Sequence, residues 1–224
     1  MTTAGSRVIS RIPIVGGGAA TVECLVQEAG IRELRAWQRH IHAPYIAPDA
    51  RRLDRDWNWP RFLLASYVLN DVSGRLTEAF QIVVEARGGQ PVPVGLAMLV
   101  SGYPHPGESR QSSTFVWYLA STPAKALNAV GVPHRFLVLP LLLDTAVQAS
   151  RWQGYGGRVA LHADHRGTKT QQEALITKYA RCGLRRQAHL RGFFLSLFRR
   201  MDERYFVYGQ ASAHACTLKW NYLR

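Results

Sequence analysis

The chain has 224 residues, of which 47% are hydrophobic, and this suits one large domain or two small ones around a buried core. It carries 28 lysines and arginines against 15 acidic residues, a net charge of +13, and only four of the basic residues are lysine. No apolar run approaches the roughly 18 residues of a membrane-spanning helix. The three widely spaced cysteines form no C-x-x-C motif, which argues against a disulfide framework or a zinc site and predicts a cytoplasmic protein.

The predicted elements mix strands and helices along one domain of residues 20–224, preceded by a loose arm of residues 1–19. Strands are predicted at residues 21–28, 79–86, 92–101, 114–122 and 158–162, and in a terminal hairpin of residues 192–198 and 204–208. Helices are predicted at residues 31–41, 60–69, 136–152 and from an N-cap at Thr170 to Gly183, with a break at residues 44–48. This order predicts a mixed α+β fold with a mostly antiparallel sheet.

The stretch of residues 114–184 carries a family resemblance. Residues 178–184, KYARCGL, with Ala174 before them, resemble the A…Y-x-x-x-G-F helix of the GNAT N-acetyltransferase superfamily. A strand ending in L-A-x-x-P, a loop and a helix with L-L-x-x-A precede it in the family's order, and residues 93–100 resemble the family's third strand. The resemblance implies a GNAT-like twisted sheet, splayed between the fourth and fifth predicted strands and flanked by about four helices.

The same resemblance implies acetyl-CoA, or another acyl-CoA, as the cofactor. The family's pyrophosphate loop, [Q/R]-x-x-G-x-[G/A], is matched best by residues 128–133, where Gly131 falls on the first glycine and Asn128 and Pro133 depart from the pattern. The implied cofactor contacts are Asn128, Gly131, Val132, His134 and Arg135, together with the strand backbone of Tyr118, Leu119 and Ala120. A glycine turn without a ligand is the alternative reading of this loop.

Tyr179 corresponds to the family tyrosine that protonates the departing thiolate, and a phenol with a pKa near 10 is a neutral proton donor at pH 7. The general base is left open. His162 and Asp164 are candidates because they lie at the end of a predicted strand, although the pattern favours a solvated loop for each of them. No cluster with metal-ligand spacing is present, so no metal is predicted.

The acceptor side is predicted around Trp57 and Trp59, with Glu85 as a further candidate, because aromatic rings with nearby carboxylates suit an amine. The predicted function is transfer of an acetyl group to a primary amine. Two alternatives remain open: a non-catalytic GNAT-like binding module, and an enzyme acting on an RNA-borne amine. The second follows from the basic C-terminal third, which could bind nucleic acid. A homodimer is also left open, and no membrane partner is expected.

Overall fold

The structure is a computed structural model, and it describes residues 9–108, 110–132, 135–187 and 204–224. Its strands are β1 Arg11–Pro13, β2 Thr21–Glu28, β3 Leu76–Glu85, β4 Pro91–Pro104, β5 Ser112–Ser121, β6 Val159–His162, β7 Arg185–Gln187 and β8 Tyr205–Tyr208. Its helices are α1 Ile31–Trp37 with a π-helical continuation Gln38–Ile46, α2 Trp59–Ser73, α3 Ala124–Ala129, α4 Val138–Trp152, α5 Lys169–Arg181 and α6 Gln210–Lys219, before a 3₁₀ turn Asn221–Leu223.

The described strands form one eight-stranded sheet in the order β1-β2-β3-β4-β5-β6-β8-β7. Every neighbouring pair is antiparallel except β5 and β6, which run parallel. A parallel pair needs a crossover connection, and α4 provides it between these two strands. The mixed α+β class with a mostly antiparallel sheet is therefore confirmed.

Helices cover both faces of the sheet. Successive residues of β4 alternate between the two layers: Ala97 and Leu99 pack in the core formed with α4, whereas Leu96 and Met98 pack in the core formed with α1 and α2. The helix α4 is almost wholly buried, with apolar residues on most of its circumference. Such a helix needs cover on several sides, and its neighbours include β4, β5, β6 and α6.

Several predicted elements are corrected by the structure. Residues 9–19 of the predicted loose arm are packed against the domain, since Ile9 and Ile12 are buried and β1 pairs with β2. The helix predicted to break at residues 44–48 continues to Ile46, because π-helical geometry accommodates Pro44. The N-cap of α5 is Thr168 rather than Thr170, and the reciprocal bonds of a capping box join it to Gln171.

Other predicted elements agree with the structure. Strand β2 has the predicted bounds, and Gly183 closes α5 with a φ of 86°, a left-handed conformation that glycine adopts readily. The helices α3 and α6 were not predicted, while residues 192–198 of the predicted hairpin lie outside the described residues. In the described parts of the chain, no helix has the length and apolar character needed to cross a membrane, and no cluster of metal-ligating side chains occurs.

Candidate active site

The site begins where the parallel strands part. The strands β5 and β6 are in register only from Thr114 opposite Val159 to Val116 opposite Leu161. Beyond this point β5 continues to Ser121, whereas β6 ends at His162. The backbone of residues 117–121 therefore keeps its pairing with β4 but has no strand on its other side within the described chain. Free N–H and C=O groups on that side can pair with an extended ligand.

A β-bulge in β5 lies at the same point. Leu99 is opposite Val116 and Met98 is opposite Tyr118, so Trp117 is an extra residue in the ladder. Successive side chains on a regular strand point to opposite faces, yet the rings of Trp117 and Tyr118 stack with centroids 5.3 Å apart and planes 24° apart. Both residues consequently line the cleft that opens between β5 and β6.

This cleft has a volume of about 1370 Å³. One wall is formed by residues 135–140, which lead into α4 and form its first turn. A second wall is the face of α5 with the segment after it, which carries Lys178, Tyr179, Arg181 and Cys182, and a third is the loop of residues 51–57. Tyr118, Leu119 and Ala120 form part of its floor. The cleft therefore joins the open strand backbone to a helix N-terminus.

The start of α4 offers backbone donors to the cleft. The N-cap residue Leu137 donates its N–H to the Pro13 carbonyl at 3.0 Å, and Pro140 has no N–H. The N–H groups of Val138 and Leu139 are left without an intrahelical acceptor, at the positive end of the helix dipole. This end is held tightly against the sheet, since a Cβ on Gly95 of β4 would lie 2.3 Å from Cγ1 of Val138.

The residues predicted to form a pyrophosphate loop lie elsewhere. Gly131 has a φ of 75° and closes α3: its N–H donates to the Asn128 carbonyl, and the N–H of Val132 donates to the Leu127 carbonyl. These N–H groups are thus used within the turn. Asn128, Gly131 and Val132 do not line the cleft, and the Val132 side chain is in the main core. Arg135 does line the cleft, while His134 is outside the described residues.

Tyr179 lines the cleft from α5 and is only 5% exposed. Its ring packs against Phe206 with a centroid distance of 5.5 Å, and its hydroxyl has no hydrogen-bond partner in the described part of the chain. Burial raises the pKa of Tyr179 well above its ordinary value, and the charges of Asp164 and the nearby Cys182 thiol act in the same direction. The phenol therefore keeps its proton at all physiological pH values.

His162 and Asp164 both line the cleft beyond the end of β6. The His162 ring meets the Tyr205 ring edge-on at 4.7 Å. Burial alone would raise the pKa of Asp164, but hydrogen bonds from the Arg166 side chain and N–H, the shortest at 2.6 Å, lower it overall. A carboxylate held in this way is a weak base, so the geometry favours His162 over Asp164 as a proton acceptor.

Four aromatic residues form what we call the aromatic wall of the cleft: Trp57, Phe62, Trp117 and Tyr118. The rings of Phe62 and Tyr118 stack with centroids 4.2 Å apart and planes 4° apart, and Trp57 meets Tyr118 edge-on at 4.8 Å. Behind them, Trp59 is fully buried, 5.6 Å from Trp57, and does not line the cleft. Trp59 is thus a support for the wall, and Glu85 lies at the exposed end of β3, outside the cleft lining.

The loop that carries Trp57 is fixed from three sides. The buried His42 in the π-helical segment is 2.9 Å from the Asp54 carbonyl through Nε2, and its Nδ1 is 3.0 Å from the Gln38 amide nitrogen. Arg52 binds the Asp54 carboxylate with two nitrogens and also donates to the Ser121 carbonyl of β5 at 3.1 Å. Gln171 of α5 donates to the Arg51 carbonyl at 3.0 Å. The loop therefore bridges the two sides of the cleft.

The charges of the cleft are mostly positive. Its basic side chains are Arg51, Arg52, Arg135, Arg166, Lys178 and Arg181, and its acidic ones are Asp54, Asp56 and Asp164. Arg135, Lys178 and Arg181, which we call the three unpaired cations, have no carboxylate partner among the described residues. These long, exposed side chains can reach a phosphate group.

Comparisons with known proteins leave the chain without an assigned family. No family model matches it, and no curated protein matches it. Solved structures do resemble it. A chain of the KacTA–DNA complex is 12% identical with a TM-score of 0.48, and the alignment covers 88% of this chain and 99% of that one. A chimera of the spermidine N-acetyltransferase SpeG from Vibrio cholerae is 14% identical with a TM-score of 0.47, covering 86% and 98%.

A third similar structure is a mutant of the AtaT toxin bound to the C-terminus of the antitoxin AtaR and acetyl-CoA, 10% identical with a TM-score of 0.46, covering 86% of this chain and 96% of that one. No activity is carried over from these distant likenesses. The arrangement of the strands is nonetheless the one that the sequence resemblance implied, with a mostly antiparallel sheet that opens at one parallel pair. The fold is GNAT-like.

The structure also brings into the site residues that sequence reasoning missed. Phe62 completes the aromatic wall, Arg52 fixes the loop to β5, and Arg166 holds Asp164. Val138 and Leu139, at the start of α4, bring backbone N–H groups to the cleft, whereas residues 128–132 of the predicted glycine loop do not line it. The sequence feature that marks the start of α4 is Pro140 in an otherwise apolar run, since proline is favoured in the first turn of a helix.

Proposed function

We propose that this protein is an acyl-CoA-dependent N-acyltransferase that transfers an acetyl group from acetyl-CoA to a primary amine. The observation that carries the proposal is the single cleft that contains the open backbone of β5, the start of α4 and Tyr179. A long, partly anionic thioester needs these three features together: strand-like pairing, positive charge and a proton donor.

The residues present fit such a cofactor. The backbone of residues 117–120, on the side away from β4, can hydrogen-bond to amide groups of an extended chain. The N–H groups of Val138 and Leu139 and the three unpaired cations would hold its phosphates. Bound acetyl-CoA would supply the acetyl group in an activated thioester.

The protein's own groups then have distinct tasks. Backbone N–H groups at the Trp117 bulge would donate to the oxygen on which negative charge develops, which is stabilising because they are already fixed in direction. Tyr179 would hold a proton at its hydroxyl oxygen and give it to the departing sulfur. Burial raises the pKa of the Cys182 thiol in the same cleft, and a thiolate departing there would by the same cause accept a proton more readily than in water.

The amine must lose a proton, and His162 is the proposed acceptor, directly or through water. Its ring lines the cleft and is held by Tyr205. A neutral imidazole has one unprotonated ring nitrogen, which can accept a proton from the amine. Asp164 would instead orient the loop through Arg166.

The first test of the proposal is a calorimetric titration of the purified protein with acetyl-CoA and, separately, with CoA. We expect micromolar binding of both ligands, followed by thiol release when amines are added. The rival function is a non-catalytic binding module, which is favoured by the small number of backbone donors at the start of α4. Binding without thiol release for any amine would support that rival, and no binding of either ligand would overturn the cofactor assignment.

The role of Tyr179 is tested by Tyr179→Phe. We expect turnover to fall about 100-fold or more, because general acid catalysis contributes that much, while the affinity for acetyl-CoA stays unchanged. Tyr67→Phe is the matched control, because Tyr67 is 48% exposed on α2 and lies outside the cleft lining. Equal turnover in the Tyr179→Phe variant and the control would show that another group protonates the sulfur.

The pH profile gives an independent check on the same residue. A proton donor is active below its pKa, and the pKa of Tyr179 is raised above the ordinary value near 10. We therefore expect kcat to show no alkaline decline between about pH 7 and pH 9.5. A decline centred below about pH 9 would assign the proton donation to a group with a lower pKa.

A further inference from the structure

We infer that the acceptor is a monoamine carried on an aromatic group, and that the cleft discriminates against polyamines. The inference rests on the proposed function and concerns the part of the same cleft that faces the aromatic wall. It follows from two independent observations: the rings are already arranged as a binding surface, and the carboxylates are already neutralised.

The aromatic wall is a preformed surface. Its rings are held by one another, in the Phe62–Tyr118 stack and the edge-on contacts of Trp57 with Tyr118 and with the buried Trp59. All four residues are nevertheless only half-buried and border the open cleft. Rings fixed in this way lose little conformational entropy when a ligand ring packs against them.

The bulge explains why the wall reaches into the cleft. On a regular strand Trp117 would point away from Tyr118, and only one of the two rings could meet the ligand. The extra residue brings both rings to one side, where the backbone of β5 is also unpaired. An aromatic group packed on these rings would thus place its amine next to the strand opening, where the acyl group is proposed to lie.

The carboxylates of the cleft do not form a polyamine site. Asp54 binds Arg52 through two hydrogen bonds of 2.6 and 2.8 Å, and Asp164 binds Arg166 at 2.6 Å. The third, Asp56, is exposed and lies 3.5 Å from a nitrogen of Arg55. Among the described residues that line the cleft, a second or third ammonium group would meet only carboxylates that already have an arginine neighbour, while the surplus of arginine and lysine there would repel it.

The experiment uses three amines with the full-length protein: 2-phenylethylamine, its saturated analogue 2-cyclohexylethylamine, and spermidine. The first two have the same charge, the same linker and six ring carbons each, so their ratio compares a flat aromatic ring with a puckered saturated one. Ring–ring contacts predict that 2-phenylethylamine is preferred over the saturated analogue by about 2- to 12-fold in kcat/KM, measured by thiol release. Spermidine should be the poorest of the three acceptors.

Trp57→Leu tests the wall directly and should bring the ratio of the first two amines close to one. Trp152→Leu is the control, since Trp152 is 53% exposed at the far end of α4 and lies outside this cleft. If Trp57→Leu fails to fold, the ratios of the unchanged protein still decide the matter. A ratio near one, or a preference for spermidine, overturns the inference.

Amine binding measured by tryptophan fluorescence distinguishes a wrong acceptor assignment from a wrong proposed function. The measurement needs no cofactor and should show the same order of affinity. The expected order of amine binding in a protein that binds no acetyl-CoA would refute only the acyltransferase. Thiol release that is fastest with spermidine would support the acyltransferase and refute the aromatic acceptor.

Discussion

The aromatic wall and the start of α4 lie on the same cleft but are built in different ways. The wall consists of side chains that pack on one another, so its shape is fixed before any ligand arrives. The start of α4 offers the N–H groups of Val138 and Leu139 to the cleft, which the three unpaired cations also line. The position of these N–H groups depends on how α4 packs across the sheet, because no ligand-facing side chains hold them in place. The two regions should therefore respond to different kinds of substitution.

We expect the largest effect on the start of α4 from Gly95→Ala. The added Cβ would lie 2.3 Å from Cγ1 of Val138, so the start of α4 must shift. Overpacking of this kind costs about 1–3 kcal/mol in the free energy of unfolding. We expect that loss in a denaturant titration, together with weaker binding of acetyl-CoA. The double variant Gly95→Ala/Val138→Ala should recover both, because it removes the clashing methyl group.

Gly131→Ala provides the opposing case. A Cβ there meets no atom within 4 Å, so the variant loses only the backbone freedom of glycine at a φ of 75°, which costs about 1–2 kcal/mol. The affinity for acetyl-CoA should stay the same, because Gly131 closes α3 outside the cleft. If Gly131→Ala removed binding while Gly95→Ala did not, the glycine loop predicted from the sequence would hold the cofactor after all.

This contrast shows what the sequence could reveal. The strands and the main helices follow from residue periodicity, and Tyr179, Trp57 and the β5 backbone, which residue type and order singled out in the sequence, all line the cleft. The start of α4 carries no comparable mark in the sequence, because the groups that it offers to the cleft are backbone N–H groups, which every residue except proline possesses. A glycine pattern pointed to Gly131, whose left-handed conformation instead ends a helix that periodicity did not predict.

Replacing any one of the three unpaired cations should have a smaller effect on the affinity for acetyl-CoA. Replacing Arg135, Lys178 or Arg181 by Gln should weaken acetyl-CoA binding by up to about fivefold each, since an exposed charge contact contributes up to about 1 kcal/mol. Arg87→Gln, at an exposed position in the turn between β3 and β4, makes the same charge change outside the cleft. Binding should also weaken with added salt, and less steeply in the variants. Affinities equal to that of Arg87→Gln would remove these side chains from the phosphate site.

The smallest expected effect is on the free energy of unfolding, and it comes from the ion pair of Asp164 and Arg166 beside the aromatic wall. The pKa of Asp164 is lowered in the folded protein, so the pair contributes stability above the carboxyl's ordinary value of 3.8 and loses it as the pH falls through the lowered value. Asp164→Asn should therefore reduce the free energy of unfolding by at most about 1 kcal/mol at pH 7, and by progressively less as the pH falls through the lowered pKa. Asp71→Asn, at an exposed carboxylate on α2, is the control for unfolding measured at each pH.

The same variant also sharpens the distinction between packing and charge. If ring packing sets the acceptor preference, Asp164→Asn leaves the ratio of 2-phenylethylamine to 2-cyclohexylethylamine unchanged, because both amines carry one positive charge. Breaking the pair frees Arg166, whose guanidinium then adds one uncompensated positive charge beside the wall. Both monoamines should weaken equally, and spermidine should weaken further in proportion to its charge. A change in the ratio itself would mean that Asp164, through Arg166, positions the rings, and that the wall is less self-supporting than its contacts indicate.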